Sequence, residues 1–166
     1  MNIVLYDYDT SWPAHFSQIR TQILGALRDA ALAVEHVGST SIPGLCAKPV
    51  IDVLLVVSDS SDEAAYAHRL EECGFKLHHR EPEWHEHRLF KFSSPAANIH
   101  VFSSGCSEIE RMVCFRDFLR SDTHARQTYE SKKRELAQRE WTRVQEYADA
   151  KGEVVEGLLN EAIKPK

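Results

Sequence analysis

The residues best suited to chemistry lie between positions 38 and 52. Gly38 and Ser39 follow a short apolar segment, and twelve residues separate Ser39 from Asp52. A glycine lets the backbone approach a phosphate closely, and the N–H and hydroxyl groups after it donate to the phosphate oxygens. A carboxylate on a neighbouring strand can hold a divalent cation against the same phosphates. We therefore expect a phosphate site. Its candidate residues are Gly38, Ser39 and Thr40 around the phosphate, with Lys48 and Asp52 as catalytic groups.

Asp52 also has a purely structural interpretation. It lies in the apolar run 49–57, which is typical of a strand buried on both faces. A buried carboxylate without hydrogen-bond partners is costly. The N–H groups of residues 38–41 would satisfy it without any ligand, and Asp52 would then only fix the loop. The sequence leaves this alternative open.

Histidines supply a second class of candidate ligand. The chain has nine, and six of them lie between His68 and His100. Residues two apart in a strand share a face, so His85 and His87 are expected to point together. A strand beside that of Asp52 would bring His100 close to the carboxylate. Asp52 and His100 are therefore the predicted ligands of a divalent metal (Mg²⁺, Mn²⁺ or Zn²⁺). A mixed Asp/His site favours Zn²⁺, Mn²⁺ or Fe²⁺ over Mg²⁺.

The remaining histidines have a simpler interpretation as solvated or hydrogen-bonded residues of the sheet. His68, His78 and His79 are interpreted as surface residues. The ring of Trp84 either stacks on a nucleotide base or anchors its loop on the sheet, and the sequence favours the anchor.

Arginines can grip a phosphate or a carboxylate with two parallel hydrogen bonds. Arg111 and Arg116 follow soon after His100 and are predicted to contact phosphate. The alternative for each is a surface ion pair of little energetic value. The basic run 132–134 stands between glutamates and is interpreted as a solvated helix face.

Apolar periodicity predicts the elements that position these residues. Apolar residues recur at spacings of three and four over 16–30, which predicts a helix, and a short strand is expected at 32–37. Further strands and helices follow from alternating runs and capping residues. The strands are expected at 49–57, 75–79, 88–92 and 98–102, and the helices are expected to begin at Ser60, Ser107 and Asp122.

The order of these elements predicts an α/β (α+β) fold, a mixed sheet with flanking helices and a helical C-terminal tail, in a single domain over 1–166. The last predicted helix carries an apolar stripe in which Lys151 is the one polar residue. This stripe either packs on its own domain or forms the seam of a homodimer.

Composition excludes several classes of protein. Hydrophobic residues make up 43% of the 166 residues and charged residues 27%, which excludes a disordered chain. The net charge of −5 gives no support for a generic nucleic-acid binder. No stretch approaches the roughly 18–20 apolar residues that cross a bilayer, and the start lacks a signal-peptide pattern. The four cysteines form no Cys-x-x-Cys pair. A cytoplasmic location with free thiols is therefore expected.

Residues 36–52 closely resemble the signature of the GrpB family; they are HVGSTSIPGLCAKPVID. The resemblance extends upstream to 8–13 and downstream to 98–101 and 111–119. GrpB-like proteins belong to the nucleotidyltransferase superfamily, and a similar domain is fused behind some dephospho-coenzyme A kinases. The resemblance thus implies a nucleotidyltransferase-like sheet with Asp52 as its first acid.

The superfamily pattern has a second acid two residues after the first, and this chain has Leu54 there. Two-metal transfer needs carboxylates that hold two cations roughly 3.5–4 Å apart. Either another residue supplies the ligand, or the domain binds a phosphate compound without turning it over.

Three functions are consistent with these observations. The first is a nucleotidyltransferase-type site that binds a nucleotide or another phosphorylated small molecule, with an unidentified acceptor. The second is a non-catalytic binding or chaperone-like module. The third is a His/Asp metal hydrolase.

Overall fold

A computed structural model describes residues 3–162, so the ends of the predicted domain 1–166 lie outside the described residues. Five strands form one sheet in the order β1-β2-β5-β4-β3. Strands β2 and β5 are parallel, and the other neighbouring pairs are antiparallel. The strands are β1 (Ala33–Val37), β2 (Ile51–Val57), β3 (Lys76–Glu81), β4 (His87–Ser93) and β5 (Ala96–Ser103). The predicted mixed sheet is confirmed.

Helices cover both faces of this sheet. They are α1 (Trp12–Leu27), α2 (Ala67–Glu72), α3 (Ser107–Ser121), α4 (Thr123–Gln138) and α5 (Val144–Ala162). Asp122 caps α4 as predicted, because its Oδ1 accepts the N–H of Ala125 at 2.9 Å. The predicted helix start at Ser60 is wrong. Ser60 is fully buried and its hydroxyl donates to the carbonyl of Glu86, so it is not free to cap a helix.

The two faces of β2 are buried against different helices, which explains its unbroken apolar run. Val53 and Leu55 belong to the core beneath α1 and α2. Leu54 packs instead with Phe102 and with Met112 of α3. Residues two apart share a face, so Asp52 lies on the α3 face of the sheet.

The C-terminal helices pack on one another. Leu158 of α5 is buried with Leu119 of α3 and Tyr129 of α4, and Tyr147 is buried with Leu136. The apolar stripe of α5 is therefore occupied within the chain, and a dimer through this helix stays a prediction. Over residues 3–162, the structure contains no helix with the length and apolar character needed to cross a membrane.

Candidate functional site

The loop after β1 runs directly against Asp52 because residue 38 is glycine. Gly38 has a φ of 73°, which residues with a side chain rarely adopt. A Cβ atom at this position would lie 2.5 Å from Asp52 Oδ2. Val37 is the register partner of Asp52, so the chain leaves β1 beside the carboxylate. The glycine that the sequence predicts for a phosphate thus also brings the loop backbone against Asp52.

Asp52 meets His100 across the sheet. Its Oδ1 lies 3.3 Å from His100 Nε2. His100 lies on β5, where it is the register partner of Leu54 of β2. Two ligands held about 2.1 Å from a tetrahedral ion lie roughly 3.4 Å apart, so this pair has the spacing of ligands that share one cation. The side chain of Asp52 is 32% exposed and open to a ligand. The structure brings the two predicted ligands together, and the metal itself stays a prediction.

The purely structural interpretation of Asp52 has mixed support. Gly38 does pack on the carboxylate. However, the N–H groups of Ser41 and Ile42 donate to carbonyl oxygens of their own turn, at 3.1 Å each, and not to Asp52. The Ser41 and Ile42 N–H groups therefore do not satisfy the carboxylate of Asp52, whose exposed part can still meet a ligand.

In the turn after Gly38, the hydroxyl groups of Ser39 and Thr40 point in different directions. Thr40 is 1% exposed, and its Oγ1 lies 2.9 Å from His36 Nε2 inside the protein. Burial lowers the pKa of His36 to about 4, so this ring is neutral at pH 7. Ser39 lines the pocket, and its Oγ accepts a hydrogen bond from Lys133. Of the two predicted hydroxyl ligands, Ser39 faces the pocket and Thr40 braces the turn.

Lys133 of α4 is the basic residue that the structure places on this loop. It is 3% exposed, and its Nζ donates to Ser39 Oγ at 2.6 Å and to the Cys46 carbonyl at 2.8 Å. Its ammonium also lies 5.3 Å from the ring centroid of Tyr129. Burial, followed by repulsion from Lys151, lowers the pKa of Lys133 to about 7. The interpretation of its basic run as a solvated face is therefore wrong for this lysine.

Two further lysines add positive charge near Asp52. The ammonium groups of Lys48 and Lys151 lie 5.4 and 5.6 Å from the ring centroid of Tyr147. Burial lowers the pKa of both lysines, repulsion from Lys151 lowers that of Lys48 further, and Asp52 opposes both shifts. Asp52 thus faces three amino groups, with Lys133 as the third, and Glu130 is a second carboxylate that acts on Lys133. This surplus of basic groups suits an anionic ligand.

A cavity of about 100 Å³ opens between the loop, Asp52 and the C-terminal helices. Such a volume holds a phosphate group, whereas pockets for drug-sized ligands run to about 300–1,000 Å³. Its polar lining consists of Gly38, Ser39, Asp52, Arg116, Tyr129 and Lys151. The cavity therefore has the size and lining for the phosphate end of a larger ligand.

The two predicted arginines are placed differently. Arg116 lines the cavity, but its guanidinium already donates to Glu35 at 2.7 Å and to Asp117 at 2.9 Å. Arg111 bonds to Glu108 and Glu156 and lines a separate groove between α3 and α5. The structure brings Arg116 to the site, with its charge partly engaged, and leaves Arg111 outside it.

The histidine-rich hairpin differs from its prediction. His85 lies exposed in the turn with a φ of 56°, so it shares no strand face with His87. His87 is buried at the start of β4, and its Nε2 lies 3.1 Å from His100 Nδ1. The ring of Trp84 packs edge-on against His87 and Phe102, with centroids 5.2 and 5.7 Å apart. Trp84 therefore anchors the hairpin.

Sequence reasoning missed three residues of the site: Tyr129, Lys133 and Lys151. A signal for the lysines exists, because each stands where the amphipathic pattern of its helix calls for an apolar residue. Lys133 follows the buried Ala125 and Tyr129 at intervals of four. A buried lysine needs a hydrogen-bond or charge partner. The position of Lys133 on the buried face of α4 therefore marks it as a candidate site residue.

Comparison with known proteins shows the same fold in relatives. A UPF0157 protein of Halalkalibacterium halodurans is 52% identical over 161 residues, which span 97% of this chain and 83% of that protein. A dephospho-CoA kinase of Mycolicibacterium paratuberculosis is 31% identical over 158 residues, which span 79% of this chain and 39% of the kinase.

Solved structures extend this likeness. The crystal structure of conserved protein GrpB from Enterococcus faecalis has a TM-score of 0.81 and 25% identity, over 97% of this chain and 100% of that one. The MgGTP-bound Cid1 poly(U) polymerase has a TM-score of 0.50 and 13% identity, over 74% of this chain and 42% of the polymerase, and shares the fold alone. The model of the GrpB protein family matches residues 2–161. This chain therefore belongs to the GrpB family.

Proposed function

We propose that the pocket binds the phosphate groups of a nucleotide or another phosphorylated small molecule, together with a divalent cation held by Asp52 and His100. The observation that carries this proposal is the inward position of Lys133. Its amino group donates to two neutral acceptors, Ser39 Oγ and the Cys46 carbonyl, whereas a second lysine and the carboxylates of Asp52 and Glu130 act on it only without direct contact. Burying an ammonium without an anion is costly. A phosphate at Ser39 would supply that anion.

Each residue has a distinct part in this proposal. Gly38 lets the loop backbone pack closely against Asp52, and Ser39 meets the phosphate oxygens. Lys133, which contacts Ser39 from behind the cavity lining, adds positive charge there. A divalent cation, when bound, would neutralise phosphate charge, which is the main contribution of metals to phosphoryl chemistry. Asp52 and His100 have a suitable spacing for it, and an Asp/His donor pair suits Zn²⁺ or Mn²⁺.

Two comparisons guide the choice of ligand. Cid1 is a poly(U) polymerase whose structure holds MgGTP, and one relative is a dephospho-CoA kinase. Nucleoside triphosphates and dephospho-CoA are therefore the first ligands to test. The cavity volume implies that only the phosphate end enters, while the nucleoside lies outside.

A second candidate is binding without turnover, and Leu54 favours it. This residue occupies the position of the second acid and is fully buried beneath α3. A cation therefore has no ligand at that position, and two-metal transfer lacks one of its usual carboxylates. Metal-dependent release of pyrophosphate from a nucleoside triphosphate by the purified protein would exclude this candidate.

Thermal unfolding tests the proposed binding. The protein is scanned with each nucleoside triphosphate and with dephospho-CoA, with and without Mg²⁺, Mn²⁺ or Zn²⁺. A ligand at about 100 times its dissociation constant adds roughly 2.7 kcal/mol, which is a shift of about 5–11 °C at this chain length. We expect such a shift in wild type and its loss in Asp52→Asn. The matched control is Asp59→Asn, which changes an exposed aspartate that bonds Ser61. A folded wild type that shifts with none of these ligands contradicts the proposal.

A further inference from the structure

Four side chains form a continuous row across the α3 face of the sheet. Asp52 Oδ1 lies 3.3 Å from His100 Nε2, and His100 Nδ1 lies 3.1 Å from His87 Nε2. His87 Nδ1 lies 2.7 Å from Glu81 Oε1. The four residues stand on β2, β5, β4 and β3, which are successive strands of the sheet. The two imidazole planes differ by only 19°, so the rings meet edge to edge through their nitrogens.

This row is one hydrogen short when both imidazoles are neutral. Each of its three contacts needs a hydrogen on one of the two facing atoms. A neutral imidazole carries a single N–H, and an ionised carboxylate carries none. Two hydrogens therefore serve three contacts, and one contact sets a lone pair against a lone pair. Either a third proton or a metal cation placed in that contact completes the row.

The Glu81 end of the row has the shape of a cation site. His79 and Glu81 lie two residues apart on β3, and Glu81 is the register partner of His87 on β4. His79 Nε2 lies 3.3 Å from Glu81 Oε1, and the ligand atoms of all three residues lie within 4.8 Å of one another. Ligands at about 2.0–2.2 Å from a tetrahedral zinc ion lie roughly 3.3–3.6 Å apart, which the His79–Glu81 contact matches, and the 2.7 Å contact between Glu81 and His87 must widen by under about 1 Å to admit the ion.

The surroundings hold this site in place and leave it accessible. The side chain of His87 is 5% exposed, between the ring of Phe102 at 4.9 Å and that of Trp84 at 5.2 Å. The side chains of His79 and Glu81 are 43% and 42% exposed. One ligand is therefore fixed by packing, while the solvent side stays open for a water as fourth ligand, as in many three-ligand zinc sites.

We propose that His79, Glu81 and His87 bind a divalent transition metal of the Zn²⁺ class at the edge of the sheet. Two imidazoles and one carboxylate select Zn²⁺, Co²⁺ or Ni²⁺ over Mg²⁺ and Ca²⁺, which prefer oxygen ligands. The metal takes the lone pair of His87 Nδ1, so the hydrogen of this ring stands on Nε2 and is donated to His100. His79 is a surface residue as predicted, and the proposal adds a ligand role to it.

The metal also sets the state of His100. When His100 Nδ1 accepts from His87, the single hydrogen of the His100 ring stands on Nε2 and is donated to Asp52. His100 then has no lone pair for a cation beside Asp52. The edge metal and the pocket cation therefore compete, although they are held by different residues. This competition rests on the cation proposed above for Asp52 and His100; the edge site itself does not.

Metal titration of the chelator-treated, full-length protein tests the edge site. Co²⁺ is added while its visible absorption is followed, and Zn²⁺ binding is measured by calorimetry. We expect the His79→Ala and Glu81→Gln variants to lose affinity by about a hundredfold, because each removes one of three ligands. The matched control is His68→Ala, which removes an exposed histidine that pairs with Glu72 at 2.9 Å but belongs to no group of three possible metal ligands within residues 3–162. Equal Zn²⁺ affinity in wild type and His79→Ala would falsify the site.

Two further measurements separate this proposal from the pocket function. Asp52→Ala keeps all three edge ligands and should change Zn²⁺ affinity at the edge far less than the ligand variants do, whereas a loss as large as theirs would place the metal at Asp52 instead. Nitrogen NMR of the histidine rings reads the position of each hydrogen. Zn²⁺ should fix His100 with its hydrogen on Nε2. A His100 ring that keeps its unliganded pattern at saturating Zn²⁺ would overturn the coupling.

Discussion

The buried amino group of Lys133 predicts that phosphate binding weakens steeply as the pH rises above 7. Burial and Lys151 lower the pKa of Lys133 to about 7, while Cys46, Asp52 and Glu130 act in the opposite direction with smaller effect. The free protein is therefore about half charged at this residue at pH 7. A bound phosphate favours the ammonium form and raises its pKa. Binding above pH 7 must then take up a proton.

The size of the effect follows from this linkage. Between the pKa of the free protein and that of the complex, affinity falls about tenfold for each pH unit, or about 1.4 kcal/mol. From pH 7.5 to 9.5 the loss is about a hundredfold if the pKa in the complex exceeds 9.5. Proton uptake rises from about half a proton at pH 7 toward one proton at pH 8.5.

Calorimetry with a nucleoside triphosphate at fixed Mg²⁺ measures both quantities. The range from pH 7.5 to 9.5 is chosen because the second ionisation of a phosphate, near pKa ~6, is then complete. Buffers with different ionisation enthalpies report the proton uptake. Lys133→Met should bind weakly, with much of the pH dependence removed. Lys132→Met is the matched control, since its exposed side chain bonds Glu135 outside the pocket. A flat pH profile in wild type would refute the role of Lys133.

Two further predictions concern stability, each followed by urea denaturation. Gly38→Ala should cost at least about 1–3 kcal/mol of unfolding free energy from backbone strain, because its φ of 73° suits glycine. The new Cβ would also meet Asp52 Oδ2 at 2.5 Å. The control Gly25→Ala has open space around it and should not destabilise, so equal losses in both variants would contradict the close approach. Hydrogen bonding from Arg80 is the largest cause that lowers the pKa of Glu63 to about 2, so its contribution of up to about 3 kcal/mol is present above pH 4.5 and lost as the pH falls toward 2. Glu63→Gln should therefore be less stable than wild type at pH 7 and nearly equal at pH 2, and a constant difference would contradict this assignment.

The parts of the fold that sequence reasoning predicted are those in which local pattern and tertiary packing agree. The run around Asp52 is apolar because both faces of β2 are covered, and periodicity detects such a strand. The helix predicted between Ser60 and Gly74 is present as α2, but its predicted start at Ser60 is wrong because a capping pattern reports a local preference. Ser60 instead bonds to Glu86 and Ser103, which are distant in the sequence, and α2 begins only at Ala67.

For the candidate site, the sequence likewise predicted the residues of one local unit and missed those that tertiary packing brings to it. Gly38 and Asp52 could be found because both belong to one strand–loop–strand unit. Lys133 lies 94 positions from Ser39, and only the packing of α4 beneath the loop brings them together. Glu81 and His87 were not paired in the sequence prediction, because the predicted strands 75–79 and 88–92 stop short of both residues, whereas β3 runs to Glu81 and β4 begins at His87.

Leu54 explains why the lysines matter to this site. A second acid two residues after Asp52 would share its face, but that position lies beneath α3 and excludes water and cations. A nucleotide's phosphates still need more positive charge than one cation supplies. Lys151 lines the same pocket and Lys133 contacts the lining residue Ser39, so both can supply that charge in place of a second metal. An ammonium group neutralises a phosphate but does not activate an attacking oxygen as a metal does. Under the proposed function, this arrangement therefore favours phosphate binding over two-metal transfer.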